Sequence, residues 1–404
     1  MLQIPWLSRH KKSAVDYPIR ANRGKQLLAT SFVLTWSLLL PYSAHAITEP
    51  QKTSSTTLPT ENYRVKTVAT GLNSPWSIVQ LPNGTWLITE RDGHIVIVKE
   101  ESQSRTKLAL QGLFVAGQGG LLDIVLASDY SESKTLFFTY AQGQLSANRL
   151  VVAKATFDGN SFSKPQVIYQ VATDKGTPQH YAGRLLMLPD NTLLFSSGDG
   201  FDYREQAQIK TSQLGKLLRI NLDGTIPNDN PFIEHQNQAA HAVFSLGHRN
   251  TQGLVYDYDS GQIVSHEHGP AGGDELNYIS AGNNYGWPVI TYGKDYSQAR
   301  ISPFTEYPGM QLPSVNWTPS IAPSGMAYYG KNQQSFASLQ GQVLVTTLVD
   351  RKLYAVDLND ENFVQANVFP EVTGRLRDVV VTANGNVAVL TDGKAAELIV
   401  ITAN

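Results

Sequence analysis

Cysteine is absent from this chain of 404 residues. Its absence excludes disulfide bonds, thiolate metal sites and cysteine nucleophiles together. Charged residues make up only 16% of the sequence and the formal net charge is −2, so there is no broad basic surface for nucleic-acid binding. Helical periodicity is also scarce, whereas glycine (32), proline (20) and tyrosine (18) are plentiful. This balance is typical of a turn-rich β protein.

The one long apolar run lies near the N-terminus, at residues 27–40. Basic residues at positions 20, 23 and 25 precede it, and Ala-His-Ala follows at 44–46. This order is typical of a secretory signal peptide with a small-x-small cleavage site. The run is too short, and too interrupted by Thr and Ser, for stable membrane insertion. We expect residues 1–46 to be a signal peptide cleaved near Ala46 and the protein to be periplasmic; a retained N-terminal anchor is the alternative.

Residues 47–61 are rich in Thr, Ser and Pro and predict a flexible leader. From 62 to 404 one pattern recurs: an apolar run, an Asn-Gly or Asp-Gly turn, and another apolar run. In residues 76–98, for example, two such turns separate three strands of a meander. Six meanders start roughly 45–72 residues apart. The repeat predicts one all-β domain, a six-bladed β-propeller of four-stranded antiparallel blades; two separate β domains are the alternative.

The last meander supplies only three strands. The segment YRVKTVA, residues 63–69, is predicted to add the fourth and to close the ring without an exposed sheet edge. Long polar loops separate the meanders, and in a propeller such loops converge on one face around the axis. Residues that are distant in sequence are therefore expected to share a pocket.

His180 and Asp199 are the first pair of candidate catalytic residues. His180 opens a strand and Asp199, in the sequence SSGDG, ends the hairpin that follows, so both return to one rim. A carboxylate on one imidazole nitrogen fixes the tautomer and raises the basicity of the other nitrogen. Spacing alone leaves open a solvated loop histidine and a turn aspartate.

Several loop residues are candidates for holding an anionic, flat ligand. Arg249, beside Asn250, offers a bidentate guanidinium; the alternative is an arginine that closes a blade by bonding carbonyls. Gln118 lies in a glycine-rich loop that lacks a phosphate-binding frame, and we expect its side chain to donate a hydrogen bond to a ligand. Arg375 and Arg377 lie on one side of an extended segment; a solvated pair is the alternative.

Residues 266–275 read HEHGPAGGDE and form the densest polar run. No third histidine is spaced as in a zinc motif. Glycine and proline instead expose carbonyl oxygens beside the carboxylates of Glu267, Asp274 and Glu275, an oxygen-rich set that suits Ca²⁺. A charged hairpin loop without a metal is the alternative.

Eight motifs, in this order, resemble the soluble PQQ-dependent glucose/aldose sugar dehydrogenases, and most closely their periplasmic aldose sugar dehydrogenase branch. The likeness extends from about residue 70 to the C-terminus. The motifs are GQGGLLDIVL, HYAGRL, GKLLRINLDGTIPNDNPF, GHRNTQGL, EHGPAGGDELN, NNYGWP, PSIAPSGMAYY and GRLRDVVV.

The resemblance implies a propeller with pyrroloquinoline quinone (PQQ) lying over one face and Ca²⁺ beside it. His180 matches the general base and Asp199 its carboxylate partner, while Arg249 would stabilise negative charge on the quinone oxygen. The residues that match the quinone-binding positions are Gln118, Arg249, Asn250, Arg375 and Arg377. Gly269 and Pro270 match the positions whose carbonyls bind Ca²⁺, and Asp274 falls among the metal-loop carboxylates.

The implied reaction is oxidation of an aldose sugar to a lactone, with electrons leaving to a separate acceptor, a quinone or a cytochrome. Two departures from the family pattern stand out. Val349 occupies the place of a cofactor-binding lysine, which leaves Arg351 or Lys352 as substitutes, and Thr251 replaces a usual proline. Two other functions remain open: a propeller-scaffold binding protein that has lost PQQ, and a Ca²⁺-dependent lactonase.

Overall fold

The computed structural model describes residues 61–358, 360 and 363–404. In this part of the chain 24 strands form six four-stranded antiparallel sheets. The first strands of successive sheets contact one another in a closed ring. The predicted six-bladed β-propeller is thereby confirmed.

Each blade uses four strands that are consecutive in the chain, except for the last. The strands of the first three blades are β2 (Pro75–Gln80), β3 (Trp86–Glu90), β4 (His94–Lys99) and β5 (Ser102–Lys107); β6 (Leu121–Leu126), β7 (Thr135–Gln144), β8 (Ala147–Thr156) and β9 (Gln166–Gln170); β10 (Ala182–Met187), β11 (Thr192–Ser197), β12 (Lys216–Asn221) and β13 (Val243–Leu246).

The remaining three blades follow the same order. Their strands are β14 (Thr251–Asp257), β15 (Gln262–Glu267), β16 (Asp274–Ile279) and β17 (Val315–Trp317); β18 (Pro323–Tyr329), β19 (Gln342–Thr347), β20 (Leu353–Asp357) and β21 (Gln365–Val368); β22 (Leu376–Val381), β23 (Val387–Thr391), β24 (Ala396–Ala403) and β1 (Tyr63–Leu72).

The last blade closes the ring. β1 pairs antiparallel with β24, with Tyr63 opposite Ala403 and Lys66 opposite Val400. This pairing confirms that residues 63–69 provide the outer strand of the last sheet. The first and last strands of the described chain therefore pair with each other, and each blade of the described residues has four strands.

Helical structure is confined to single turns. They are α1 (Tyr130–Ser133) and three 3₁₀ turns, Arg204–Gln208, Gln238–Ala240 and Ala337–Leu339. No helix in the described residues is long and apolar enough to cross a membrane. The expected signal peptide (1–46), and all but the last residue of the expected leader (47–61), lie outside the described residues.

The first strand of every blade pairs irregularly with the second strand near its start. In the second and third blades the shifts lie between Leu121 and Ile124 and between Ala182 and Leu185. A bulge bends a strand and changes the direction of the side chains at that point. Here the bulges direct polar side chains at the centre of the ring.

One of these side chains, Arg184 of the third blade, is buried at the centre. Its Nη1 lies 3.1 Å from Asp378 Oδ1 of the sixth blade and 3.3 Å from Asp123 Oδ1 of the second. Burial raises the pKa of Asp378, and the charge of Arg184 opposes that rise. The three side chains thus form a buried network in which one guanidinium faces two carboxyl groups.

Arg184 also contacts the three blades that do not belong to this network. Nε donates to the carbonyl of Gln252 in the fourth blade at 2.8 Å, and Nη2 donates to that of Ser324 in the fifth at 3.1 Å. The guanidinium carbon lies 4.3 Å from the ring centre of Trp76 in the first blade. A single arginine therefore joins the innermost strands of all six blades.

Replacing Arg184 with methionine is expected to lower the free energy of unfolding by about 3–5 kcal/mol, because it leaves two buried carboxyl groups without their cation. Denaturant unfolding measures the change. Arg64→Met is the control, since the Arg64 side chain is exposed and its Nε donates to Asn404 Oδ1 at the end of the described chain. Equal stability of the two variants would contradict a central role for Arg184.

Candidate functional site

His180 and Asp199 meet where β10 begins and β11 ends. The two strands are antiparallel, so Ala182 lies opposite Ser197 and the residues just beyond them share one rim. His180 Nδ1 lies 2.7 Å from Asp199 Oδ1, and both side chains are buried. The structure brings the predicted pair into direct contact.

The Asp199 carboxylate is held on both oxygens. Oδ2 accepts a hydrogen bond from Trp287 Nε1 at 2.8 Å, and Oδ1 accepts one from the backbone N–H of Phe201 at 2.8 Å. A carboxylate fixed in this way accepts the Nδ1 proton of the imidazole and leaves Nε2 as the free acceptor. Trp287, in the motif NNYGWP, is a supporting residue that sequence reasoning did not single out.

The backbone around His180 is strained. His180 and Ala182 have φ values of 47° and 54°, in the left-handed region that residues other than glycine rarely occupy. Such strain is concentrated at functional sites. The His180 N–H donates to Gln118 Oε1 at 2.8 Å, which fixes the amide oxygen of Gln118 and leaves its NH2 group as the donor for the predicted hydrogen bond to a ligand.

The electrostatic surroundings keep the imidazole neutral. Burial lowers the pKa of His180, the hydrogen bond to Asp199 raises it, and the charges of Arg249 and Lys175 lower it further, with a net decrease. Lys175 was missed at the sequence level. Its Nζ is buried and donates to the carbonyl of Thr177 at 2.6 Å, and burial lowers its pKa to about 7.

Arg249 reaches across the rim to the loop that was predicted to hold Ca²⁺. Its Nη1 donates to the carbonyl of Gly269 at 2.7 Å and to that of His268 at 3.0 Å. The guanidinium carbon also lies 5.3 Å from the ring centre of Trp287. Arg249 therefore bonds carbonyls, as the alternative interpretation expected, and does so within the site.

Asp274 differs from the expectation of a metal ligand. Its Oδ1 accepts the N–H of Gly269 at 2.9 Å, and its Oδ2 accepts the hydroxyl of Ser320 at 2.6 Å and the N–H groups of Ile321 and Ala322, each at 2.9 Å. A carboxylate with four donors is already saturated. These hydrogen bonds favour a role for Asp274 in positioning the Gly269 loop over direct coordination of a metal ion.

The histidines of the same run contact carbonyl oxygens of the fifth-blade strand β18. His266 Nε2 lies 3.3 Å from the carbonyl of Gly325, and His268 Nε2 lies 2.7 Å from that of Pro323. Glu267 and Glu275 are cross-strand neighbours. Burial raises the pKa of Glu267 to about 7 and that of Glu275 well above its usual range, the latter with a contribution from Glu267.

A cavity of about 220 Å³ opens next to His180. The predicted residues Gln118, Asn250, Arg375 and Arg377 all line it, together with Arg91. Aromatic rings from Trp76 and Tyr181 form part of its wall. The structure therefore brings candidate ligand-binding residues from three connections between blades together with Arg91 from a fourth segment.

Positive charge predominates in this cavity. Arg375 Nε and Arg377 Nη2 each lie 2.9 Å from a different oxygen of Asp392. Burial by itself raises the pKa of Asp392, but the two guanidinium groups hold it below its usual range. Arg91 makes a third guanidinium, so three cations face one carboxylate.

Arg91 was not predicted, although it stands in the turn between β3 and β4 that the repeat located. Its Nη2 donates to the carbonyl of Gly119 at 2.6 Å and to that of Gly117. It thus holds the carbonyls on both sides of Gln118. Burial and the positive charge of Arg377 both lower the pKa of Arg91.

The residue at the position of the family lysine does not reach the cavity. Val349 is exposed, and its neighbour Leu348 lines the cavity in its place. Lys352 Nζ lies 3.4 Å from Asp350 Oδ2. Arg375 and Arg377 therefore supply the cationic groups on this side.

A second cavity has a volume of about 200 Å³. Arg249, Pro270 and Trp287 line it together with two aromatic side chains, Phe201 and Tyr296. The Phe201 ring contacts the His180 ring edge-on, with centroids 5.0 Å apart. Phe201 therefore contacts His180 and also lines this second cavity.

A buried histidine–aspartate pair and an arginine-lined cavity thus lie in the loop regions of a six-bladed propeller. The chain belongs to the glucose/sorbosone dehydrogenase family, whose sequence profile matches residues 72–400.

Individual relatives agree with this assignment. The chain is 42% identical over 351 residues to the uncharacterised protein slr1608 of Synechocystis sp. (82% of this chain, 84% of the relative). It is 31% identical over 336 residues to the aldose sugar dehydrogenase YliI of Escherichia coli (81% and 90%). The PQQ-bound aldose sugar dehydrogenase of Streptomyces coelicolor superimposes with a TM-score of 0.67 at 28% identity (85% and 99%).

The pKa of His180 can be measured directly by NMR of histidine-labelled protein. We expect a value below about 6.5, the ordinary value of histidine, and a still lower value in Asp199→Asn, which removes the charge that raises it. As the pH falls, the unfolded chain is therefore protonated at a higher pH than the folded protein. The contribution of His180 to the free energy of unfolding is full above about pH 6.5 and declines at lower pH. Titration above 6.5 in the folded protein would contradict this description.

Proposed function

We propose that the protein oxidises aldose sugars at the anomeric carbon to lactones, with PQQ and Ca²⁺ as cofactors. The observation that carries the proposal is the buried His180–Asp199 pair at the edge of a cavity with three arginines. Two relatives are named as an aldose sugar dehydrogenase and a quinoprotein glucose dehydrogenase. One similar structure, that of the Streptomyces enzyme, contains PQQ.

The cavity beside His180 suits PQQ, which is a flat tricarboxylate. Arg91, Arg375 and Arg377 exceed the negative charge of Asp392, so an anionic ligand would relieve their mutual repulsion. Guanidinium groups bind carboxylates in a bidentate manner. Gln118 and Asn250 add amide groups to the same wall. These five residues would hold the quinone.

The oxygen atoms of the Gly269–Pro270 loop suit Ca²⁺, which prefers carbonyl and carboxylate ligands. Asp274 fixes this loop through the N–H of Gly269. The Gly269 carbonyl already accepts a bond from Arg249, so ion and guanidinium would compete for or share it. We assign the carbonyls of Gly269 and Pro270 to the ion and a positioning role to Asp274.

When bound, PQQ would accept the two electrons of the C1–H bond, while Ca²⁺ polarises its carbonyl. His180 Nε2 takes the proton of the anomeric hydroxyl, because Nδ1 is engaged by Asp199. Asp199 stabilises the imidazolium that forms and keeps the ring in one orientation. Arg249 supplies positive charge where negative charge develops.

The low pKa of His180 has a consequence for this role. A base that stays neutral below its ordinary pKa remains able to accept a proton in mildly acidic solution. Lys175 and Arg249 contribute to that decrease by raising the energy of the imidazolium.

The electrons leave to a separate acceptor, which we propose to be a quinone or a cytochrome. We also propose that the protein acts in the periplasm, on the basis of residues 1–46. The two other functions account for less of the site. A binding protein without cofactor needs no strained, buried His180–Asp199 pair, and a lactonase needs no group of three arginines.

The activity is tested by dye reduction with purified protein, PQQ, Ca²⁺ and a panel of aldoses. We expect sugar-dependent reduction that requires both additions and falls by at least about 10³-fold in His180→Ala, in line with the loss of a general base. His235→Ala is the matched control, because His235 lies in a distant loop of the third blade and should leave the rate unchanged. A wild-type protein that binds PQQ but oxidises no aldose would contradict the proposal.

Quinone binding tests the arginine-lined cavity separately. Arg375→Met with Arg377→Met should weaken PQQ binding at least about 100-fold, because each charge-assisted hydrogen bond contributes roughly 1.5–3 kcal/mol. Spectroscopic titration of the unliganded protein gives the dissociation constants. Lys352→Met is the control and should bind PQQ as the wild type does. An unchanged affinity in the double variant would place the quinone elsewhere.

A further inference from the structure

Two lysine side chains, Lys175 and Lys216, are buried in the part of the chain that the structure describes. Lys216 Nζ donates to three backbone carbonyls at 2.7 to 2.9 Å, which is the environment of a structural lysine. Lys175 Nζ donates to one carbonyl, that of Thr177 at 2.6 Å, and to Asn148 Oδ1 at 3.1 Å. The third neighbour of the Lys175 ammonium is of a different kind.

This third neighbour is the ring of Tyr181, whose centre lies 3.4 Å from Lys175 Nζ. At such a distance the negative face of the ring attracts the ammonium. Tyr181 is itself buried and forms part of the wall of the arginine-lined cavity. Its hydroxyl donates to Asn148 Oδ1, the atom that also accepts from Lys175. One aromatic side chain thus connects the ammonium to the cavity, and Asn148 bonds to both.

Lys175 also packs against the turn that follows Asp199. A Cβ atom added at Gly200 would lie 2.8 Å from Lys175 Cδ, so the aliphatic part of the lysine fills the space beside this glycine. The hydroxyl of Thr177 donates to the carbonyl of Gly200 at 2.5 Å. The charges of Lys175 and Asp199 attract each other, and the charge of Lys175 opposes protonation of His180. Lys175 therefore contacts both the cavity wall and the turn beside the catalytic pair.

The charge on Lys175 depends on pH. Burial lowers its pKa to about 7, and the charge of Asp199 opposes that decrease. In the more exposed part of the same segment, Arg149 and Asp174 form an ion pair at 2.6 Å and compensate each other. Tyr203 contributes a neutral hydroxyl that accepts a backbone N–H at 2.9 Å. The ammonium is therefore charged below about pH 7, and its field is screened less than that of an exposed group.

We propose that Lys175 is a positioning residue that acts through Tyr181, and that its charge helps to hold the anionic quinone and keeps His180 unprotonated. This inference rests on the proposed function and adds to it a cation that does not touch the quinone. An ammonium inside the cavity would occupy space that a flat ligand needs. An ammonium against an aromatic ring of the wall leaves that space free, and its charge still attracts an anion in the cavity.

The pKa of His180, measured by NMR of histidine-labelled protein, tests the effect on the base without any cofactor. Lys175→Met should raise this pKa, because it removes a positive charge that opposes the imidazolium. Asn148→Asp should raise it too, since a carboxylate beside the ammonium compensates the same charge while Lys175 stays in place. Lys210→Met is the matched control and should leave the pKa unchanged, because Lys210 is an exposed lysine 4.9 Å from the ring centre of Phe232.

Spectroscopic titration with PQQ tests the effect on the quinone. At about pH 6, where Lys175 is charged, Lys175→Met and Asn148→Asp should each weaken PQQ binding at least about fivefold, and Lys210→Met should not. The affinity of the wild type should fall as the pH rises above about 7, because Lys175 then loses its proton. This fall should be smaller in Lys175→Met. Glu267, whose pKa is also raised to about 7, is present in both proteins, so their difference reports on Lys175.

The two variants separate the charge of Lys175 from its packing. Lys175→Met keeps an unbranched apolar side chain of similar length but loses the charge and the hydrogen bonds. Asn148→Asp keeps the lysine and an oxygen acceptor for the Tyr181 hydroxyl, and changes mainly the charge. A purely structural lysine would alter the stability of Lys175→Met in denaturant unfolding, but Asn148→Asp would then keep the wild-type pKa of His180 and the wild-type PQQ affinity.

The outcomes distinguish this inference from the proposed function. A pKa of His180 or a PQQ affinity that stays at the wild-type value in both variants overturns the inference, even if the enzyme oxidises aldoses. A change in Lys175→Met that is absent from Asn148→Asp also overturns it, because the effect then belongs to packing. The expected changes in pKa and PQQ affinity, with no aldose oxidised in the presence of PQQ and Ca²⁺, support the inference and contradict the dehydrogenase function alone.

Discussion

The six blades depend on one buried guanidinium. Arg184 pairs with Asp123 and Asp378 and donates to the carbonyls of Gln252 and Ser324, and it also contacts the first blade. A ring of sheets held only by apolar faces could slide or open, because hydrophobic contact is non-directional. A central cation with directional bonds to the inner strands of four other blades, and a ring contact with Trp76 of the first blade, fixes the relative height and rotation of the blades. That fixation places the loops of one face within contact distance of one another.

The site is the consequence of this arrangement. His180 and Gln118 come from loops before two neighbouring blades, and Arg249 comes from the loop before a third. Each has a partner from another loop: His180 with Asp199, Arg249 with the Gly269 carbonyl, and Gln118 with the His180 backbone. These hydrogen bonds hold the His180 backbone in its strained conformation. A site of this type has little freedom to move once the blades are in place, which is the preorganisation that catalysis requires.

Much of the fold and part of the site could be predicted from the sequence. The period-two strands and their Asn-Gly and Asp-Gly turns are local signals, so they located the blades and the closing strand β1. Residues near the strand ends, such as His180, Asp199 and Arg377, were predicted from motifs. Arg91 and Trp287 were missed because their roles arise only when distant loops meet, and the saturation of Asp274 by four donors depends on residues about 46 positions away. Such contacts leave no periodic trace in the sequence.

The central claim is that the arginine-lined cavity holds the quinone beside His180. The most direct test is a crystal structure of the protein with PQQ and Ca²⁺. The account predicts the quinone carboxylates on Arg375 and Arg377, the ion on the carbonyls of Gly269 and Pro270, and the reactive edge next to His180 Nε2. A quinone bound at another place, or a cavity that stays empty at saturating PQQ, would contradict it.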